Sequence, residues 1–122
     1  MAKDTETKIH ELKEIIKKHC DERDWDQFHN AKELAIALSI EAAELLEPFR
    51  FKTWEEVDLL FKDPKKKEEI SDEMADVLYF LTRLAQKYNI DLSEAFERKM
   101  KKNEKNYPIE KAKGSNKKYN EF

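Results

Sequence analysis

Leu34-Ala-Ile-Ala-Leu-Ser-Ile-Glu-Ala-Ala-Glu-Leu-Leu46 reads as a helix that is apolar on every side except at Ser39, Glu41 and Glu44. A helix that is apolar all round belongs inside a bundle. An ionised carboxylate without a partner there costs several kcal/mol. Two carboxylates one turn apart in such a place call for a cation, and Glu41 shares its face with Leu34, Leu38 and Leu45.

The rest of the chain agrees with helices. Its 122 residues suit one domain. A charged fraction of 42%, a single Gly and three Pro favour long solvated helices over hairpin-rich sheets. The expected fold is all-α. No apolar run approaches the roughly 20 residues that span a bilayer. The first residues, Met1-Ala-Lys-Asp-Thr-Glu6, lack a signal-peptide core, so the expected location is cytoplasmic. Cys20 is alone, which excludes an intrachain disulfide and a Cys-based zinc cluster. Charge is divided unevenly: from Glu97 onward nine Lys/Arg face four Asp/Glu, while residues 1–96 carry fifteen against twenty-three. An acidic body with a basic tail suits anionic ligands near a cation-binding body, and a merely solubilising tail accounts for the charge equally well.

In chain order, Ile9, Leu12, Ile15 and Ile16 place a first helix over about Thr5 to Cys20, with Asp4 or Thr5 as cap. Asp21 to His29 has no clean period and reads as a loop whose rings, Trp25 and Phe28, cover a core or line a pocket. Asn30 caps the second helix, with Glu33 at the capping-box position, and Pro48 follows its end at Glu47. Thr53 and Glu56 box a short connector running to Phe61, with Trp54, Val57, Leu60 and Phe61 on its apolar side. Asp63-Pro64 opens the next long helix, striped by Ile70, Met74, Val77, Leu78, Leu81, Leu84 and Ala85 and reaching about Tyr88. Glu69, Glu73, Asp76 and Phe80 share a face beside that stripe, and Ser71, Asp72 and Arg83 mark a wet side. The last helix runs from Asp91 to about Asn106, with Leu92, Phe96 and Met100 inward and Lys99 and Asn103 one turn apart. Ile109 to Phe122 reads as an extended Lys-rich arm.

A second pair of acids, Glu73 and Asp76, repeats the spacing of Glu41 and Glu44. Residues three apart sit on neighbouring faces of one helix, so antiparallel packing of the two helices would converge four carboxylates. An oxygen-only set suits a hard divalent cation, Mg²⁺ first and Mn²⁺ as a substitute, and does not suit zinc. A ferritin-like di-iron site needs Glu-x-x-His pairs, and neither acidic helix offers one. Held by carboxylates, Mg²⁺ keeps positions open for water and phosphate oxygens, which points to phosphoryl or nucleotidyl chemistry.

Glu41-Ala-Ala-Glu44 followed by Glu73-Met-Ala-Asp76 resembles the Glu-x-x-Glu and Glu-x-x-Asp signature of the MazG-like all-α nucleoside triphosphate pyrophosphohydrolases. Arg23 to His29, Phe49-Arg-Phe51, Lys99 to Pro108, Gly114-Ser115 and Lys118-Tyr119 are similar to stretches of the small dCTP pyrophosphatase branch. The resemblance implies a four-helix-bundle-like fold over residues 1–108, with a short connecting helix. Residues 109–122 would be an arm that folds over the active site or a neighbouring subunit. It further implies Mg²⁺-dependent hydrolysis between the α and β phosphorus atoms, giving the monophosphate and pyrophosphate, with dCTP or a modified dCTP as substrate. Glu41, Glu44, Glu73 and Asp76 would be the catalytic metal ligands; spacing does not assign which carboxylate doubles as general base, and Glu69 and Asp72 are reserve candidates near the second pair. Trp25 and His29 would border the nucleotide, Trp25 flat against the base. Phe51 stands where that branch has Trp, and Phe80 where Tyr is expected; both keep an aromatic wall and lose a polar tip. Lys99 and Asn103 would contact phosphate, and Lys118 and Tyr119 would close over the pocket. The family is oligomeric, so a dimer or tetramer is expected. A non-catalytic helical nucleotide-binding or interaction protein is the alternative, and the negative net charge argues against a nucleic-acid partner.

Overall fold

The computed structural model describes residues 2–122. It contains α1 (Ile9–Glu22), α2 (Ala31–Leu46), α3 (Trp54–Leu60), α4 (Pro64–Lys87), α5 (Leu92–Asn106) and α6 (Ile109–Ala112), with no strand among the described residues. The chain is all-α, as expected. Among the described residues no helix is long and apolar enough to cross a membrane.

Local chemistry accounts for most boundaries. The Asn30 side chain accepts the Glu33 N–H at the start of α2, and Thr53 and Glu56 form a complete capping box on α3. Asp63 accepts from Lys65 and Lys66 at the start of α4, where Pro64 needs no N–H partner. Asp91 does the same for α5 through Glu94. The exception is α1, which begins at Ile9 after an uncapped Lys8. The earlier start at Thr5 fails because the Glu6 and Thr7 N–H groups close a tight turn back onto the Lys3 carbonyl.

Two compact units divide the chain, one running to Asn89 and the other from Ile90 to Phe122. In the first, α4 is the axis, packed by α2 along most of its length and by α1. The core consists of Ile16, Cys20, Leu34, Ile70 and Ala85, together with Thr82 and Arg83. At one end the Ala31 N–H donates to the Tyr88 hydroxyl at 2.7 Å. Toward the other, Glu44 and Glu47 line a recess with Glu69, Ile70 and Glu73. Rising numbers on α2 therefore meet falling numbers on α4, and the two helices are antiparallel.

Three expectations for the first unit need correction. The α2 helix is not enclosed on all sides: Leu34 is buried, but Ile36, Ile40 and Leu46 are exposed, Ile40 by 53%. Only the face carrying Leu34, Leu38, Glu41 and Leu45 meets the core. On α4 the apolar stripe is displaced as well, since Met74, Leu78 and Leu81 are exposed and Arg83, assigned to the wet side, is 1% exposed. The face that carries the acids runs through Glu73, Asp76, Phe80, Arg83 and Lys87, whose spacing alternates between three and four; Arg83 is buried, Glu73, Phe80 and Lys87 are half-buried, and Asp76 is exposed. Trp54 on the connector also points outward, 89% exposed.

Within the second unit, Leu92 is half-buried while Phe96 and Met100 are exposed rather than inward. The arm is not fully extended. Ile109–Ala112 is helical, Gly114 turns the chain at φ +76°, and the Tyr107 ring meets Tyr119 and Phe122 edge-on at 6.1 and 6.0 Å.

Candidate metal centre and aromatic recess

Antiparallel packing brings the two acid pairs together. Glu41, Glu73 and Asp76 each offer a carboxylate oxygen, and these oxygens lie within 4.8 Å of one another. Glu44 acts electrostatically on both Glu41 and Glu73. The Oε2 atoms of Glu41 and Glu73 are buried with no hydrogen-bond partner. A buried, unsatisfied carboxylate oxygen is costly. Burial pushes both carboxyls above the ordinary glutamate value, with the Glu44 carboxylate next in effect and Asp76 adding to it. The donor set consists of oxygen alone, and the orphaned oxygens converge. It fits a hard divalent cation, whose charge would remove the repulsion.

The carboxylates form the wall between two recesses. One, of about 650 Å³, is lined by Glu41 and Asp76 with His19, Trp25, Phe28, His29, Tyr79 and Phe80. The other, of about 940 Å³, is lined by Glu44 and Glu73 with Phe51, Arg50, Lys52, Lys66, Glu69 and others. Trp25, His29 and Phe80 therefore line one recess together with Glu41 and Asp76. Phe51 lies in the other recess, 91% exposed at φ +62°, with the Arg50 guanidinium 4.6 Å from its ring centre. Glu69 pairs with Lys66 at 3.3 Å, and Asp72 is exposed.

The smaller recess is built from a turn and three helices, α1, α2 and α4. Arg23 to Phe28 leaves α1 through Asp24, whose φ is +55°, and closes in a single 3-10 turn over Asp26–Phe28. His19 meets Trp25 and Tyr79 edge-on at 5.4 and 5.8 Å. The Tyr79 hydroxyl lies 3.1 Å from His19 Nδ1 and 3.2 Å from Cys20 Sγ, and burial holds its proton on well above the usual phenol range. Phe80 packs on Tyr79 at 5.0 Å. Phe28 was legible as a pocket or core ring of the loop, whereas His19 and Tyr79 were missed because a helical period cannot say which rings from separate elements meet. Arg83 and Lys87 were legible in principle from the three-and-four spacing that continues Glu73, Asp76 and Phe80 along α4.

The remaining expected residues belong to the second unit. Lys99 is exposed, Asn103 is half-buried and accepts the Tyr107 N–H at its carbonyl, and the Lys118 N–H donates to the Glu121 carboxylate. Tyr119 packs on Tyr107.

Residues 36–122 match the MazG-like family. The chain belongs to that family. Among MazG-like proteins of known activity it is similar to dCTP pyrophosphatase 1 of Homo sapiens, 37% identical over 114 residues that cover 91% of this chain and 67% of that protein. The Bos taurus protein of the same name is 32% identical over 118 residues, 97% of this chain and 70% of that one. A crystal structure of a pyrophosphatase from Archaeoglobus fulgidus superposes with a TM-score of 0.78 at 37% identity, covering 88% of this chain and 99% of that one. Both MazG-like acid pairs lie within the matched residues, whereas Trp25 and His29 precede them.

Proposed function

We propose that this MazG-like chain is a Mg²⁺-dependent nucleoside triphosphate pyrophosphohydrolase that cleaves dCTP or a modified dCTP to the monophosphate and pyrophosphate. One juxtaposition supports this most: Glu41, whose Oε2 is buried and unpartnered, lines a recess walled by Trp25, Phe28 and Phe80, and carboxylate oxygens of Glu73 and Asp76 lie within 4.8 Å of its own. An ion site beside aromatic rings suits a ligand with a polyphosphate at one end and a flat base at the other. The dCTP pyrophosphatases to which the chain is similar supply the choice of base.

Glu41, Glu44, Glu73 and Asp76 would hold the ion, and Mn²⁺ should substitute for it. Bound there, Mg²⁺ supplies Lewis-acid polarisation of phosphoryl oxygens and a counter-charge for the pyrophosphate leaving group. The side chains perform the remaining work. Trp25 offers its ring to the base, Phe80 and Phe28 exclude water from it, and His29 offers a polar edge. The resemblance assigns Lys99, Asn103, Lys118 and Tyr119 to phosphate contact and closure, with 109–122 acting as an arm. Water attacks the α-phosphorus and pyrophosphate departs.

We also propose a dimer as the minimum unit, with a tetramer as its extension, and a cytoplasmic location. Ile36 and Ile40 on α2, and Met74, Leu78 and Leu81 on α4, are large apolar side chains at helical spacing left exposed in the single chain. Contiguous apolar surface of that kind marks association.

The deciding experiment is a panel of natural and modified nucleoside triphosphates with Mg²⁺, with the products identified. Monophosphate and pyrophosphate are expected, with deoxycytidine substrates preferred. Diphosphate and phosphate, or binding without turnover, would refute the reading.

A further inference from the structure

Arg83 has the largest fully buried side chain among the described residues, and all three of its guanidinium nitrogens are engaged. Nε donates to His29 Nδ1 at 3.0 Å, one terminal nitrogen donates to Asp26 Oδ1 at 2.9 Å, and the other donates to Gln86 Oε1. Lys87 Nζ donates to the same Asp26 oxygen and to the Asp26 carbonyl, both at 2.9 Å. Arg83 thus ties α4 and the 26–28 turn to an imidazole that also lines the aromatic recess.

A guanidinium keeps its protons at every working pH, so its Nε–H is always a donor. His29 Nδ1 must then carry a lone pair. A neutral imidazole has one N–H, which leaves it on Nε2, the only polar group of the ring not spent on Arg83. Protonating Nδ1 would set two N–H donors against each other at 3.0 Å. Burial and the charges of Arg83 and Lys87 also hold the ring below the ordinary histidine value of 6.5, with Asp26 opposing them only in part.

We propose that Arg83 is a positioning residue that locks His29 as a neutral Nε2–H donor, so that the recess reads an uncharged acceptor on its ligand, a carbonyl oxygen or ring nitrogen at the edge of a base, and not a phosphate. The lock stands on the geometry alone; the nature of the ligand rests on the nucleotide reading above. The lock also explains why an exposed turn is tied so firmly to a buried arginine, since moving the turn would move the ring.

The test has a spectroscopic and a kinetic arm. In side-chain ¹⁵N–¹H spectra of the metal-free full chain, assigned with His29→Gln, His29 should be in the neutral Nε2–H form at neutral pH and should titrate below the ordinary histidine value of 6.5. Arg83→Met should release it to a tautomer mixture that titrates nearer the ordinary value, with Arg83→Lys intermediate. Should Arg83→Met not fold, the wild-type spectrum and Arg83→Lys decide the matter. Titration of wild-type His29 with an ordinary midpoint, a proton on Nδ1, or no change in the Arg83 variants would overturn the lock. In steady-state kinetics, His29→Gln, neutral and still a donor, should keep KM within about threefold, while His29→Leu should raise it about tenfold with kcat little changed. Equal damage from the two would overturn the donor role. The spectra need no substrate, so a protein that hydrolyses no nucleotide would still decide the lock, and the product panel would report that other failure.

Discussion

Glu41 on α2 and Glu73 on α4 bring carboxylate oxygens within 4.8 Å of each other, and each keeps an Oε2 atom that is buried and unpartnered. Like charges held this close raise each other's proton affinity, and only a cation or a proton relieves them. Two consequences can be measured.

Replacing Glu41 or Glu73 by Gln removes a ligand charge and also the repulsion. Turnover should fall below about 1% of wild type, since even changes behind a ligand cost 10–100-fold. Thermal unfolding of the metal-free protein should at the same time occur at the same or a higher temperature. Unchanged activity in both variants would refute the assignment.

Stability should depend on pH with a definite sign. Both carboxyls are raised in the folded state, by burial first and then by Glu44, so the folded protein binds protons that the unfolded chain releases. Their contribution is complete below the unfolded value of about 4.5 and is lost as pH rises through the folded values. The Tm of chelator-treated protein should therefore decline over that window. Added Mg²⁺ should restore it at neutral pH, by about 2.7 kcal/mol at a hundredfold excess over Kd. A Tm that Mg²⁺ does not move would count against a built metal site.

Trp25 should contribute to affinity more than to rate. Base stacking on an aromatic ring is worth about 1–3 kcal/mol, so Trp25→Ala should raise KM roughly 10- to 100-fold and Trp25→Phe much less. Helical content should be preserved, because the ring is 39% exposed. A kcat loss with KM unchanged would remove Trp25 from the base site.

The two faces of α2 should respond differently to substitution. Leu34→Ala, at a side chain 1% exposed, should cost about 2–5 kcal/mol of folding stability. Ile40→Lys, on the exposed face, should leave the helix formed and reduce the sedimenting mass to that of one chain. An Ile40→Lys protein that sediments like wild type would place the interface elsewhere.

The sequence by itself determined the helices, their caps and the two acid pairs, because these depend on neighbours three or four residues away. Asn30, Thr53, Asp63 and Asp91 cap as their side-chain chemistry requires. Glu41 was legible as a charge on an apolar face, and the order of its flanks was enough to indicate the family. The tertiary structure decided which faces are used. The core meets only half of α2, and the buried stripe of α4 runs through Arg83 rather than through Met74 and Leu78. Apolar periodicity could not show this, because an exposed apolar face and a core stripe have the same composition. Nor could it show that an arginine on α4 would hold a histidine from the 26–29 turn, since that contact exists only once α2 and α4 have packed antiparallel and drawn the turn against them.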